Sequence, residues 1–192
     1  MNTYLGLDGE MSGTTSSHQL IQIGLAIGAR DTLGLDVGWL AGTYRVDPEA
    51  LQVNGFDEAR IQQGQPPEVV DVACVAWLDL RFPGMHAKQL IPVGWNVAGF
   101  DMPFVRRDLP KLGARLSYRS VDLNAVCFAL DGKVAAGTDG QVRPRSWEWW
   151  KKDVKRLALE AMGAGVAKPH DAEWDAVVSL QAFRVLQGIV RG

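Results

Sequence analysis

The chain has 192 residues, 47% of them hydrophobic and 22% charged, with a formal net charge of −2. That balance excludes an intrinsically disordered chain, and the small net charge excludes a broad cationic surface for wrapping long nucleic acid. No stretch approaches the ~20 apolar residues of a membrane span, so no membrane partner is expected. The length fits one domain covering residues 1–192.

The N-terminus, MNTYLGLDGE, lacks the basic and apolar regions of a secretory signal, so a cytoplasmic location is the expectation. Tyr4 to Asp8 reads as a buried strand ending in an acid, and SGTTSSHQ after it as a loop. Alternation predicts a second strand over Leu20 to Ile27. A third runs from about Val37 to Val46, where Trp39, Tyr44 and Val46 supply bulk, completing an antiparallel meander. The period then changes: Val69, Val70, Ala73, Ala76, Trp77 and Leu80 predict a helix from about Glu68 to Phe82, entered through Pro66-Pro67. Cys74 in that helix and Cys127 further on sit in apolar runs without metal-ligand spacing and read as buried free thiols.

Leu90 to Trp95 is a fourth strand, Gly99 to Leu112 a helix, and Ser120 to Leu123 a short fifth strand leading into a helix at about Asn124 to Leu130. Two Asp-Gly pairs predict a loop or hairpin insertion at about 131–146. Helices follow over Ser146 to Met162 and from Asp171 to Leu186. A meander followed by strand–helix–strand crossovers implies an α/β domain with a mixed sheet flanked by helices.

The most informative residues are acids placed where acids are costly. Asp8 and Glu10 leave one face of the first strand, with Gly9 between them allowing close approach. Asp101 follows the fourth strand, and Asp175 shares the inward stripe of the last helix with Val178, Ala182 and Leu186. Singly, each has a structural explanation as a cap or an ion-pair partner. Together they repel unless protons or cations neutralise them, and hard divalent cations with oxygen ligands are the natural partners. Two such ions clamp the attacking and leaving oxygens of a phosphodiester displacement. His170, at the start of the last helix, is positioned as a neutral base, whereas His18 and His86 read as solvated.

These residues form three ordered motifs: Asp8-Gly9-Glu10-Met11-Ser12-Gly13, Asn96 through Phe100-Asp101 to Phe104, and His170-Asp171-Ala172-Glu173-Trp174-Asp175-Ala176. With them the chain resembles the DEDDh 3′–5′ exonucleases, which include the polymerase III proofreading subunit, ribonuclease T and oligoribonuclease. The resemblance implies a ribonuclease H-like fold with a five-stranded mixed sheet. It also implies that Asp8, Glu10, Asp101 and Asp175 hold two Mg²⁺ or Mn²⁺ ions and that His170 is the general base. The substrate it implies is single-stranded DNA or RNA with a free 3′ end, cut to nucleoside 5′-monophosphates. By the same resemblance Gly9, Met11, Ser12, Val53, Asn54, Gly55, Phe56, Asn96 and Phe100 contact the terminal nucleotide, with core packing the alternative for Phe56.

Other readings stay open at this stage. One is an oligoribonuclease-like enzyme for short RNA, suggested by Met11; another is a non-catalytic binding scaffold. A homodimer is compatible with the resemblance. The segment carrying Arg143, Arg145, Trp147, Trp149, Trp150, Lys151, Lys152, Lys155 and Arg156 is either a solvated face over buried tryptophans or a single-strand contact.

Overall fold

The computed structural model describes residues 2–86, 89–136, 147–163 and 170–191. Its sheet has the order β3-β2-β1-β4-β5. Strand β1 (Thr3–Met11) pairs antiparallel with β2 (Leu20–Ala26), and β2 antiparallel with β3 (Thr32–Asp36). On its other side β1 runs parallel to β4 (Leu90–Gly94), and β4 parallel to β5 (Val121–Asp122). The mixed five-stranded sheet expected from the sequence is therefore present, with β1 at its centre.

The third strand lies earlier than the sequence suggested. Residues 32–36 form β3, and Val37 makes only an isolated bridge to Gln65. Trp39, Tyr44 and Val46 do not extend the sheet. They pack beside Ile21, Leu51, Phe56 and Ile61, beneath two helices that the apolar pattern did not reveal, α1 (Pro48–Asn54) and α2 (Glu58–Gln63). Both helices are announced by their ends rather than by periodicity. Asp47 caps Pro48–Asn54 through the Glu49 N–H, Gly55 closes it at φ 68°, and Asp57 accepts from the Arg60 N–H.

Helix α3 (Pro67–Arg81) buries Val70, Cys74 and Leu78, one turn apart, against Leu5, Leu7 and Leu25 of the sheet. Each fully buried aliphatic side chain of this kind contributes about 1.5–3 kcal/mol. The helix expected over Gly99 to Leu112 is two, α4 (Asp101–Asp108) and α5 (Pro110–Arg115). Pro110 cannot continue the first helix but suits the first turn of the second. Asp71 of α3, only 2% exposed, accepts the Lys111 and Leu112 N–H groups at 2.9 and 2.7 Å and so caps α5.

On the opposite face lie α6 (Leu123–Ala136), α7 (Trp147–Ala161) and α8 (Ala172–Arg191). Helix α6 runs through Gly132 to Ala136, so the expected insertion does not begin at 131. A single Gly costs a helix about 1 kcal/mol, which good helix formers on either side offset. The rest of that insertion, 137–146, falls outside the described residues. Helix α8 lies directly on the sheet: a Cβ at Gly6 or Gly24 would collide with the carbonyl oxygens of Ala176 and Ala172. Those glycines let the helix backbone touch the strands. Among the described residues no helix is long and apolar enough to cross a membrane, and Cys74 and Cys127 are buried free thiols, as expected.

Candidate active site

Strand alternation puts Tyr4, Gly6, Asp8 and Glu10 on the face of β1 that α8 covers. Ala176 rests over Gly6, so Asp175, the preceding residue, reaches the end of the strand. Carboxylate oxygens of Asp8, Glu10 and Asp175 all lie within 4.8 Å of one another. Asp101, at the start of α4 and 3% exposed, is not a member of that mutually close set. Its Oδ1 instead accepts the Gly9 N–H at 2.9 Å, which ties the second motif to the first.

Burial and mutual repulsion dominate the electrostatics. Burial pushes Asp8 well above the usual carboxylate range, assisted by the charges of Asp101, Asp175 and Glu10. Glu10 is pushed up to about 8, first by burial and then by Asp175 and Asp101. Asp101 rises to about 7 through burial, although the Gly9 N–H opposes the shift. Asp175 is raised by burial against the pull of Lys155 and of the His170 N–H. Four acids in one place favour protons unless cations replace them, and an all-oxygen donor set suits hard divalent ions.

His170 stands two residues before α8, at φ 59°, with its side chain exposed. Its backbone N–H donates to Asp175 Oδ2 at 3.1 Å, so the histidine is held beside the acid whose motif it shares. Asp171 follows it and caps the helix, accepting from the Trp174 N–H at 3.1 Å. His18 is taken up locally, its Nδ1 accepting the Thr15 N–H, and His86 is exposed.

Beside the acids opens a cavity of about 300 Å³, lined by Gly9, Glu10, Met11, Val53, Asn54 and Phe100 among others. Helix α1 supplies its outer wall: Val53 is 56% exposed, and Asn54 Nδ2 donates to the Met11 carbonyl at 3.0 Å. Phe100 meets Phe104 edge-on, with centroids 5.5 Å apart.

Four of the expected nucleotide contacts lie elsewhere. Phe56 is buried with Leu51 and Ile61 beneath the Arg60 guanidinium, so it takes the core-packing alternative. Ser12 is wholly buried; its hydroxyl donates to the Arg45 carbonyl and accepts the Gln19 N–H, which fastens the loop after β1. Gly55 caps α1 and is absent from the cavity lining. Asn96, exposed at φ 60°, shapes the turn after β4, accepting from Gly99 and Phe100 and donating its N–H to Asp122 Oδ1 at 3.2 Å.

Asp122 itself was missed from sequence. It ends β5 as Asp8 nearly ends β1, and its charge contributes to the rise at Asp101. The signal was an acid closing a short apolar strand. Of the cationic segment, Trp150 is 9% exposed and packs in the core under α7. Arg156 is paired with Asp153 and Glu160, while Arg143, Arg145 and the side chains of Trp147 and Trp149 lie outside the described residues.

No family profile matches the sequence, and no curated protein matches it significantly. Solved structures do. Exonuclease I of E. coli in complex with a dA16 oligonucleotide aligns with a TM-score of 0.65 at 14% identity over 99% of this chain. A zinc-bound form of the E. coli exonuclease I–single-stranded DNA complex gives 0.65 at 15% identity over the whole chain. Cell-death related nuclease 4 gives 0.61 at 13% identity, also over the whole chain. The chain spans 42% of the length of the first and 65% of the last. The architecture is thus the ribonuclease H-like mixed sheet found in those exonucleases.

Proposed function

We propose that this protein is a metal-dependent 3′–5′ exonuclease, which removes nucleoside 5′-monophosphates from single-stranded nucleic acid with a free 3′ end. The observation that carries the reading is the convergence of Asp8, Glu10 and Asp175 within 4.8 Å beside an open cavity of about 300 Å³. The likeness to nucleases solved with single-stranded oligonucleotides supports it.

The acids would hold two Mg²⁺ or Mn²⁺ ions, with Asp8 between Glu10, Asp175 and Asp101. When bound, the ions neutralise charge on the phosphoryl oxygens and make water a better nucleophile. The cavity receives the terminal nucleotide: Gly9 admits it closely, Met11 and Val53 offer apolar contact, and Phe100 a ring face. Asn54 positions the Val53 wall through its bond to Met11. His170 takes the proton from the attacking water, and its exposed side chain can pass that proton to solvent. The bond between phosphorus and the 3′ oxygen of the shortened strand breaks, and that oxygen takes a proton from solvent to become the new 3′-hydroxyl.

The test uses 5′-labelled single-stranded DNA and RNA oligonucleotides, short and long, with Mg²⁺ or Mn²⁺. The expected result is a metal-dependent ladder shortening from the 3′ end, absent with EDTA and with Asp175→Ala. Comparison of the DNA and RNA lanes selects the sugar. Folded protein that shortens none of them refutes the assignment.

A further inference from the structure

Helix α7 presents its cations unevenly. Lys152 points to solvent and Arg156 is neutralised by its own helix, whereas Lys151 and Lys155 turn inward, one turn apart. Both ammonium groups lie 5.5 Å from the centroid of the Trp95 indole, at the end of β4. They are therefore at most twice that distance from each other, and neither belongs to an ion pair among the described residues. Two cations gathered at one ring repel each other, and burial adds to that cost: Lys151 is pushed below the ordinary lysine range by burial and then by Lys155. Strand β4 runs parallel to β1 with Val93 opposite Gly6, so Trp95, two residues on, stands next to the strand end that carries Asp8.

The cavity that would receive the terminal nucleotide is walled by α1, β1 and Phe100, and includes none of Trp95, Lys151 and Lys155. The lysine pair gathers at Trp95, next to the end of β1 that carries Asp8, so a strand leaving the cavity across the acids would meet it there. We propose, on the basis of the exonuclease reading above, that Lys151 and Lys155 bind backbone phosphates on the 5′ side of the scissile bond, with Trp95 as the positioning residue that holds both ammonium groups there. Attraction between the indole face and an ammonium group favours that placement of the two side chains.

The experiment compares wild type, the double variant K151Q/K155Q, the charge-conserving K151R/K155R and W95L. Binding of a 5′-fluorescein 12-mer DNA is measured with Ca²⁺ from 50 to 300 mM NaCl, and hydrolysis of the 12-mer is compared with that of thymidine 5′-monophosphate p-nitrophenyl ester, which has no phosphate upstream. Each single-strand phosphate contact contributes about 0.7 to the salt slope. The K151Q/K155Q slope should therefore fall by about 1.4, and its kcat/KM on the 12-mer should fall about tenfold further than on the ester. K151R/K155R should restore the slope, and W95L should keep it while raising KM for the 12-mer several-fold. An unchanged slope, or equal losses on the two substrates, overturns the lysine assignment while leaving the exonuclease reading intact. Wild-type protein that neither binds nor cuts the 12-mer overturns both.

Discussion

Removing divalent cations should make the protein's stability fall as pH rises across the neutral range, contrary to the usual behaviour of carboxylates. Glu10 moves from 4.5 to about 8 on folding. Between those values the native state keeps a proton that the unfolded chain has shed, so stability is lost as pH rises, at about 1.4 kcal/mol per pH unit for one proton. The gap corresponds to about 5 kcal/mol at full ionisation. Asp101, raised to about 7 from 3.8, acts in the same direction over the lower part of the window. Together the two groups lose about 6 kcal/mol between pH 5 and pH 8. For a domain of this size one kcal/mol moves Tm by about 2–4 °C, so Tm in EDTA should drop by about 12–25 °C over that range. Adding Mn²⁺ at pH 8 should recover most of that loss and release protons. Differential scanning fluorimetry across the pH series, with and without Mn²⁺, measures both effects. A flat or rising Tm in EDTA from pH 5 to 8 refutes the account of the acids, and so does the absence of any Mn²⁺ effect at pH 8.

Asp8→Asn removes one member of the repelling set, so it should raise Tm in EDTA at pH 8 while abolishing turnover and the Mn²⁺-dependent gain; retained turnover contradicts the metal assignment. His170→Ala should lower kcat by about 10²–10⁴, and His170→Gly should do the same while gaining up to about 1 kcal/mol in urea unfolding, because φ 59° disfavours a side chain. A tenfold or smaller loss of kcat in both variants makes His170 structural. Asp71→Ala strips the buried cap from α5 and should cost about 1–3 kcal/mol in urea unfolding, with kcat unaffected; a loss below 0.5 kcal/mol would mean that water replaces the carboxylate.

The acids were legible in the sequence because polar groups in apolar strands break a pattern, and spacing alone puts Asp8 and Glu10 on one face. Helix α3 was legible because its apolar residues recur at helical intervals, although Val69 and Leu80, which helped to mark it, are exposed and Asp71 is buried. What failed was short structure. Helices α1 and α2 have seven and six residues, too few to display a period, and only their Asp caps and Gly55 mark them. The bulk of Trp39, Tyr44 and Val46 read as strand because aromatic and branched residues favour both sheets and helix-covered cores. Phe56 and Ser12 show the limit of motif reasoning: a position beside the site can serve the core. Lys151 and Lys155 differ from Lys152 only in which side of α7 they occupy, and that orientation depends on where the helix lands.

The contact of α8 with the sheet through Gly6 and Gly24 has a mechanical corollary. With backbone against backbone, the helix can neither slide nor rotate without a collision, so Asp175 and Asp8 behave as one fixed jaw. The facing wall, α1, is a short helix tied to β1 by the Asn54–Met11 hydrogen bond and packed through Leu51 beside Ile21, and it presents an exposed Val53 to the cavity. On the exonuclease reading, adjustment to bases of different size would fall to the α1 wall, while the carboxylates keep their spacing.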